Sequence, residues 1–245
     1  MSDKLPASAA LAERLSLPRA VVFETVGSTL DEAHRLAASG SPAGTLVVAD
    51  AQTAGRGRQG RSWRSEPGAG LWLTLVERPT DAAALDVLSL RIGVLLAPAL
   101  DAFAPAPVSL KWPNDLYVGS RKLAGILVEA RWRDSRPEWV AIGVGVNVRT
   151  PAGEPNATGL RGGTSRLDVL DAIIPAIRQA AARVGPLTDD ERSAFAARDL
   201  ASGRPCTDPV PGIVSGIDPT GALLVRSSDG VVAVRAGSLV LTEAL

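Results

Sequence analysis

Apolar positions from residue 1 to about residue 200 come in short runs, and their spacing sorts them into helices and strands. Ser8 to Leu15 reads as a short helix and Ala20 to Val26 as a strand. Gly27-Ser28-Thr29 then opens a helix with Asp31 and Glu32 in its first turn and Gly40 as its stop. Gly44 to Asp50 and Leu71 to Glu77 are apolar strands, and Asp81 to Phe103 reads as one long buried helix. Three strands follow, Val108 to Trp112, Asp115 to Val118 and Arg121 to Trp132, around the turn Trp112-Pro113-Asn114-Asp115. Trp139 to Val148 is a further strand, and Arg166 to Val184, with Pro175 inside, and Asp189 to Leu200 are helices. Between residues 105 and 148 the connections are too short for crossovers, so these strands should pair antiparallel.

The pattern changes near Ala201. A turn-rich stretch, Ser202 to Gly212, precedes four brief β-prone runs: Ile213 to Ile217, Ala222 to Ser227, Val231 to Ala236 and Ser238 to Thr242. Pro219-Thr220-Gly221 and Asp229-Gly230 supply turn chemistry between them. The expectation is an α+β chain with a mixed, mainly antiparallel sheet and packed helices over residues 1–200, and a small β-barrel or sandwich over 201–245.

Composition narrows the function classes. Lys plus Arg and Asp plus Glu both number 26, which argues against a protein held to nucleic acid mainly through phosphates. Cys206 is the one cysteine, read as a packing residue, and no intrachain disulfide can form. His34, the one histidine, is read as a surface residue of a polar helix, which disfavours a histidine metal cage or a triad. No secretory signal is evident, and Asp86, Arg91 and Pro98 interrupt the longest apolar stretch, so the expected location is cytoplasmic, without a membrane.

Chemistry concentrates in a few stretches. In Ala51 to Trp63, "AQTAGRGRQGRSW", Gly55, Gly57 and Gly60 spell G-x-G-x-x-G, but Pro67, Gly68 and Gly70 forbid the helix that a dinucleotide fold requires next. Arg56, Arg58, Arg61 and Arg64 instead crowd a loop with no acid between Asp50 and Glu66. This reads as an anion site with close backbone approach, or as a solvated basic loop. Lys111-Trp112-Pro113-Asn114-Asp115 offers a lysine, an amide and a carboxylate on one turn, with a structural Asx turn as the alternative. Strict alternation puts Lys122 on one face with Ala124, Ile126, Val128 and Ala130, part-desolvated and short of counter-ions unless it reaches solvent from the strand's end. Ala141, Gly143, Gly145 and Asn147 form a nearly bare strand face that suits a flat ligand or a close-packed helix. Ser28 and Thr29 either cap the helix they precede or contact a ligand at its N-terminus, and Gln52 faces a similar choice.

Together these segments resemble the biotin protein ligases. "GSTLDEA", "AQTAGRGRQGRSW", "GLWLTL", "KWPNDLYV", "RKLAGILVE" and "GVGVNV" occur in that family's order and spacing, strongly over residues 20–150 and more loosely after Ala201. The resemblance implies a class II synthetase-like catalytic domain with an SH3-like β-barrel. It implies activation of biotin by ATP to biotinyl-5′-AMP, then transfer to a lysine of a biotin carboxyl carrier domain of a carboxylase. Mg²⁺ would accompany ATP, with Asp115 as the nearest metal candidate. By position, biotin would meet Ser28, Thr29, Gln52, Gly55, Arg56, Gly57, Arg58, Lys122 and Gly125. Trp63, Asn114, Lys122 and Asn147 would serve the nucleotide. Lys122, Arg56, Arg58, Lys111 and Asp115 would carry the chemistry. Leu30 stands where the family's GST motif usually continues with Asn; if that side chain helps bind biotin, a hydrogen bond is lost unless Asp31 compensates, and if only backbone there matters nothing is lost, while Gly70 replaces another common Asn. The first strand begins near Ala20, leaving no room for a helix-turn-helix module, so no operator binding is expected. The rival readings are a lipoate-protein ligase on the same scaffold and a nucleic-acid module that uses the arginine loop as a phosphate clamp.

Overall fold

The computed structural model describes residues 4–79, 81–228 and 230–242. Its frame is a seven-stranded sheet in the order β1-β2-β3-β7-β6-β5-β4. The strands are β1 (Arg19–Val26), β2 (Thr45–Gln52), β3 (Gly70–Glu77), β4 (Val108–Lys111), β5 (Asp115–Val118), β6 (Arg121–Arg133) and β7 (Arg136–Asn147). Only β1 and β2 are parallel in this sheet, joined through α2 (Thr29–Ala38); the other neighbours are antiparallel, as the short connections from β4 to β7 require for that half of the sheet.

Strand parity assigns the two faces. Leu46, Val48, Leu73, Leu75, Val140, Ile142 and Val144 point into the main core. The helices α1 (Ser8–Arg14), α4 (Leu88–Asp101) and α5 (Arg166–Ala181) supply buried residues to that same core. Val47, Val76 and Ala141, one step out of phase, face α2 through Leu30, Ala33, Leu36 and Ala37. Helix α2 is short, so beyond its N-terminus this second face of the sheet is left open.

The expected helix from Asp81 to Phe103 is two helices. A single turn, α3 (Ala83–Asp86), ends at Val87, whose φ of −106° and ψ of 0° break the spiral before α4 begins. Val87 packs against Gly221 of the small sheet's turn, where an added Cβ would lie 3.2 Å from its side chain, a tertiary contact that local apolar spacing does not show. Helix α6 (Asp189–Ala196) begins in a capping box between Thr188 and Glu191.

After Ala201 a second sheet forms in the order β11-β10-β9-β8-β12. Its strands are β8 (Pro205–Asp208), β9 (Gly212–Ile217), β10 (Leu223–Ser227), β11 (Gly230–Val234) and β12 (Val240–Leu241). The sheet is antiparallel throughout, in keeping with an SH3-like unit, but among the described residues it stays open where a closed barrel was expected. Strand β8 arises within the stretch read as turns, and only Val240 and Leu241 of the last run pair. Asp229 of the expected Asp229-Gly230 turn lies outside the described residues. Cys206 is buried, as a packing role requires. No helix among the described residues is long and apolar enough to cross a membrane.

Candidate active site

A cleft of about 290 Å³ lies on the α2 side of the large sheet, beyond the helix's N-terminus. It is lined by Ser28 and Thr29, by Gln52, by Arg56 to Trp63 without Gln59 and Gly60, by Lys111 to Asp115, and by parts of β6 and β7. Segments remote in sequence and singled out from sequence alone therefore converge here.

The floor is the bare face of β7. A Cβ on Gly143 would lie 3.3 Å from Leu30, and one on Gly145 would lie 2.6 Å from the Trp63 indole. The indole also covers Gly125 of β6, where a Cβ would approach it to 2.9 Å. The flat group on this face is thus the chain's own Trp63, and its Nε1 is buried without a hydrogen-bond partner. Leu30 is an apolar wall packed on Gly143, and Asp31 does not replace the missing amide, since it pairs with Arg56 outside. Gly70 admits no side chain at all, because a Cβ there would collide with Trp72 and the Val146 carbonyl.

Lys122 reaches this floor for a reason that strict alternation missed. The β5–β6 register steps from Leu116↔Ala124 to Tyr117↔Lys122, so a bulge at Leu123 shifts the parity of β6. Ala124 and Ile126 go to the core, while Lys122 shares the cleft face with Gly125, Asp115 and Tyr117. Its side chain is 30% exposed and its Nζ lies 2.7 Å from Asp115 Oδ1 and 5.0 Å from the Trp63 ring. The expectation of a lysine short of counter-ions is therefore corrected, since Asp115 is its partner.

Other cations surround this pair. Lys111 stands 5.6 Å over the Tyr117 ring, and burial lowers its pKa, with Asp115 opposing and Lys122, Arg204 and Arg61 adding to the depression. Arg58 is likewise lowered by burial and hydrogen-bonds Asn114 Oδ1 at 3.3 Å, while Asn114 Nδ2 donates to the Ile126 carbonyl at 2.7 Å. Tyr117 is pushed up to about 12, by burial first and Asp115 second, which keeps it a neutral hydroxyl.

At the other end of the cleft, of the two readings of Ser28, capping is excluded. Ser28 makes no cap bond; its hydroxyl is buried and has no partner. Gln52 takes the capping role instead, accepting from Thr29 N at 2.8 Å and Thr29 Oγ1 at 3.1 Å while Nε2 donates to Ser65 Oγ at 2.8 Å. Asn147 does not line the cleft: it lies behind Lys122, its Nδ2 donating to that residue's carbonyl at 3.4 Å. Gly55 is also set back, with its Cβ direction filled by the Trp63 carbonyl.

Sequence reasoning missed Tyr117, Ser238 and Leu239, which also line the cleft. It also misread His34, which is half-buried between Trp139 and Glu129 rather than free on the surface. Tyr117 could have been found as the neighbour of Asp115 on one strand face, two positions on. The small-sheet contribution of Ser238 and Leu239 had no local signal.

Residues 22–147 match the model of the biotin/lipoate A/B protein ligase family, and 206–241 match the biotin protein ligase C-terminal domain. The chain belongs to that ligase family. It is 36% identical over 227 residues to a biotin–[acetyl-CoA-carboxylase] ligase of Paracoccus denitrificans, covering 83% of this chain and 92% of that one. It is 41% identical over 126 residues to the bifunctional ligase/repressor BirA of Bacillus spizizenii, covering 51% of this chain and 39% of the relative. The chain spans 33–40% of the length of several such curated relatives. Among solved structures it resembles the Leishmania major biotin protein ligase in complex with biotinyl-5-AMP, at 26% identity and a TM-score of 0.61. That match covers 89% of this chain and 99% of that one.

Proposed function

We propose that the chain joins biotin to ATP, forming biotinyl-5′-AMP and pyrophosphate, and then transfers the biotinyl group to a lysine of a carboxylase's carrier domain. The observation that carries this reading is the polarity of the cleft. An unpartnered, buried Ser28 hydroxyl stands at one end, an apolar surface of Leu30, Gly143 and the Trp63 indole over Gly145 lies between, and Lys122, Lys111 and Arg58 gather at the other. A small acid with a polar head, an apolar body and an anionic tail fits that order. The tail then meets a nucleotide where the cations converge. The Leishmania relative's adenylate complex and the carboxylase named for the Paracoccus relative support the ligand and the acceptor.

In this reading the carboxylate oxygen of biotin attacks the α-phosphorus and pyrophosphate leaves. Lys122 neutralises the two meeting anions, and Lys111 and Arg58 stabilise charge on the departing phosphates. Trp63 and Asn114 would flank the nucleotide. The acceptor amine then attacks the acyl carbon and AMP leaves. Among the described residues no cluster of three or more potential ligands could cage a metal. Asp115 is the one carboxylate of the cleft lining, so Mg²⁺ would be held mostly by phosphates and water, which suits its coordination habits. The proposal includes no nucleic-acid role, supported by the balanced charge.

The test is incubation with biotin, ATP, Mg²⁺ and an intact carrier domain, followed by mass spectrometry of the carrier. An ATP-dependent biotinyl mass on one lysine is expected. An unmodified carrier, or ATP–pyrophosphate exchange driven by lipoate and not by biotin, overturns the reading.

A further inference from the structure

The glycine-arginine segment is a hairpin. Arg56 bridges Ser62, Gly57 N donates to Arg61 O at 2.7 Å and Trp63 N donates to Gly55 O at 2.8 Å. Its two arms are therefore tied together, so whatever holds Arg56 also holds Trp63 over the cleft floor. Arg56 itself points to the rim. Its Nη2 lies 2.8 Å from Asp31 Oδ1 and 3.2 Å from Glu129 Oε2. Glu129 is fixed from behind: His34 Nε2 lies 3.0 Å from the same oxygen, and His34 Nδ1 accepts from Trp139 Nε1 at 3.0 Å. Because Nδ1 accepts, the ring proton sits on Nε2 and is donated to Glu129. Trp139 is buried in the α2 face of the sheet, so the relay is anchored in the frame.

We propose that Asp31 and Glu129 are positioning residues that latch this hairpin shut through Arg56. The latch confines the water-sensitive acyl-adenylate until an acceptor amine arrives. Its role in retention rests on the ligase reading; its role in loop closure does not. The pairs are part-exposed, with side chains 64% exposed at Asp31 and 32% at Glu129, so the latch is weak enough to open.

Trypsin reads the loop directly, since Arg56, Arg58 and Arg61 are its cleavage points and remain in every variant. In ligand-free protein, Glu129→Gln with Asp31→Asn is expected to raise cleavage in this hairpin about threefold or more, with the melting temperature unchanged. Asp31→Asn alone, at an exposed site, gives a smaller rise and serves if the double variant folds poorly. With biotin, ATP and Mg²⁺ but no acceptor, the double variant should release AMP into solution about threefold faster, as adenylate escapes and hydrolyses. Cleavage equal to wild type overturns the latch, whatever the activity. Raised cleavage with unchanged AMP release overturns its role in retention. If wild type forms no adenylate at all, the ligase reading fails, while the trypsin arm still decides the latch.

Discussion

Lys122 shows how one side chain acquires a role from its surroundings. A bulge turns it from the core face to the cleft, Asp115 holds its ammonium at 2.7 Å, and the same nitrogen stands 5.0 Å over the Trp63 ring. Lys122→Met removes the charge and keeps the stem. Adenylate formation, followed by ATP–pyrophosphate exchange, should fall by about a hundredfold, the usual loss of one preorganised charge, with thermal unfolding little changed. The Gly145 position tests the floor: in Gly145→Ala the new methyl would sit 2.6 Å from the indole, so Trp63 must move. Overpacking of this kind costs about 1–3 kcal/mol, and calorimetric titration should show biotin binding weakened roughly tenfold or more. Which residues carry charge was legible in the sequence, because Lys, Arg and bare glycine faces declare themselves. Where they point was less legible. The bulge at Leu123 reverses a parity argument that rests on strict alternation, and the pairing of Arg56 with Asp31 and Glu129 depends on contacts across the fold.

The secondary-structure elements followed from apolar spacing almost throughout, because each strand of the large sheet buries at least one face and each long helix one stripe. The exceptions are places where tertiary contacts outweighed local pattern, as at Val87, which packs against Gly221 and ends α3. Between elements, the least local feature is polar. Arg91 of α4 is 1% exposed and binds Glu191 at the start of α6 at 2.7 Å, and Arg183 reaches the same carboxylate at 2.7 Å. Burial alone would raise the Glu191 pKa. Hydrogen bonds from Arg91, the Thr188 amide and Arg183 outweigh it and hold the group at about 2. A depressed carboxylate stabilises the fold fully above its ordinary value near 4.5 and loses that contribution as pH falls toward 2. Arg91→Met would leave a buried carboxylate with one cation fewer, a loss of about 3 kcal/mol in urea unfolding at pH 7. The gap between wild type and Glu191→Gln should shrink as pH drops from about 4.5 to about 2; a constant gap would show that the ion pair adds nothing specific to charge.

At the scale of the whole molecule, the two sheets share one hydrophobic core. Val214, Ile217, Leu223 and Val225 of the small sheet belong to the same cluster as Leu110 and Trp112. Trp112 Nε1 donates to the Gly221 carbonyl at 3.0 Å, and strand β4 is clasped by residues 198–200, with Leu110 N to Arg198 O and Leu200 N to Leu110 O both at 2.8 Å. Sequence reading divided the chain near Ala201 because composition changes there, yet this junction is where the cleft's Lys111 strand and the small sheet are fastened together. Asp199 sits in that clasp. Its Oδ1 accepts from Ala201 N at 2.9 Å, but its Oδ2 is buried with no partner, and burial pushes its pKa up to about 6. A raised carboxylate pKa means that the folded state binds the proton more tightly than the unfolded chain. Stability from this group is therefore greatest below its ordinary value near 3.8 and falls as pH rises to about 6, beyond which a charge stays buried. Asp199→Asn keeps the acceptor for Ala201 and removes the charge. Denaturant unfolding should find it more stable than wild type by roughly 1–3 kcal/mol at pH 8 and about equal at pH 4, following about 1.4 kcal/mol for each pKa unit. The same gain at both pH values would place the benefit in packing rather than in charge, and the junction would then carry no electrostatic strain.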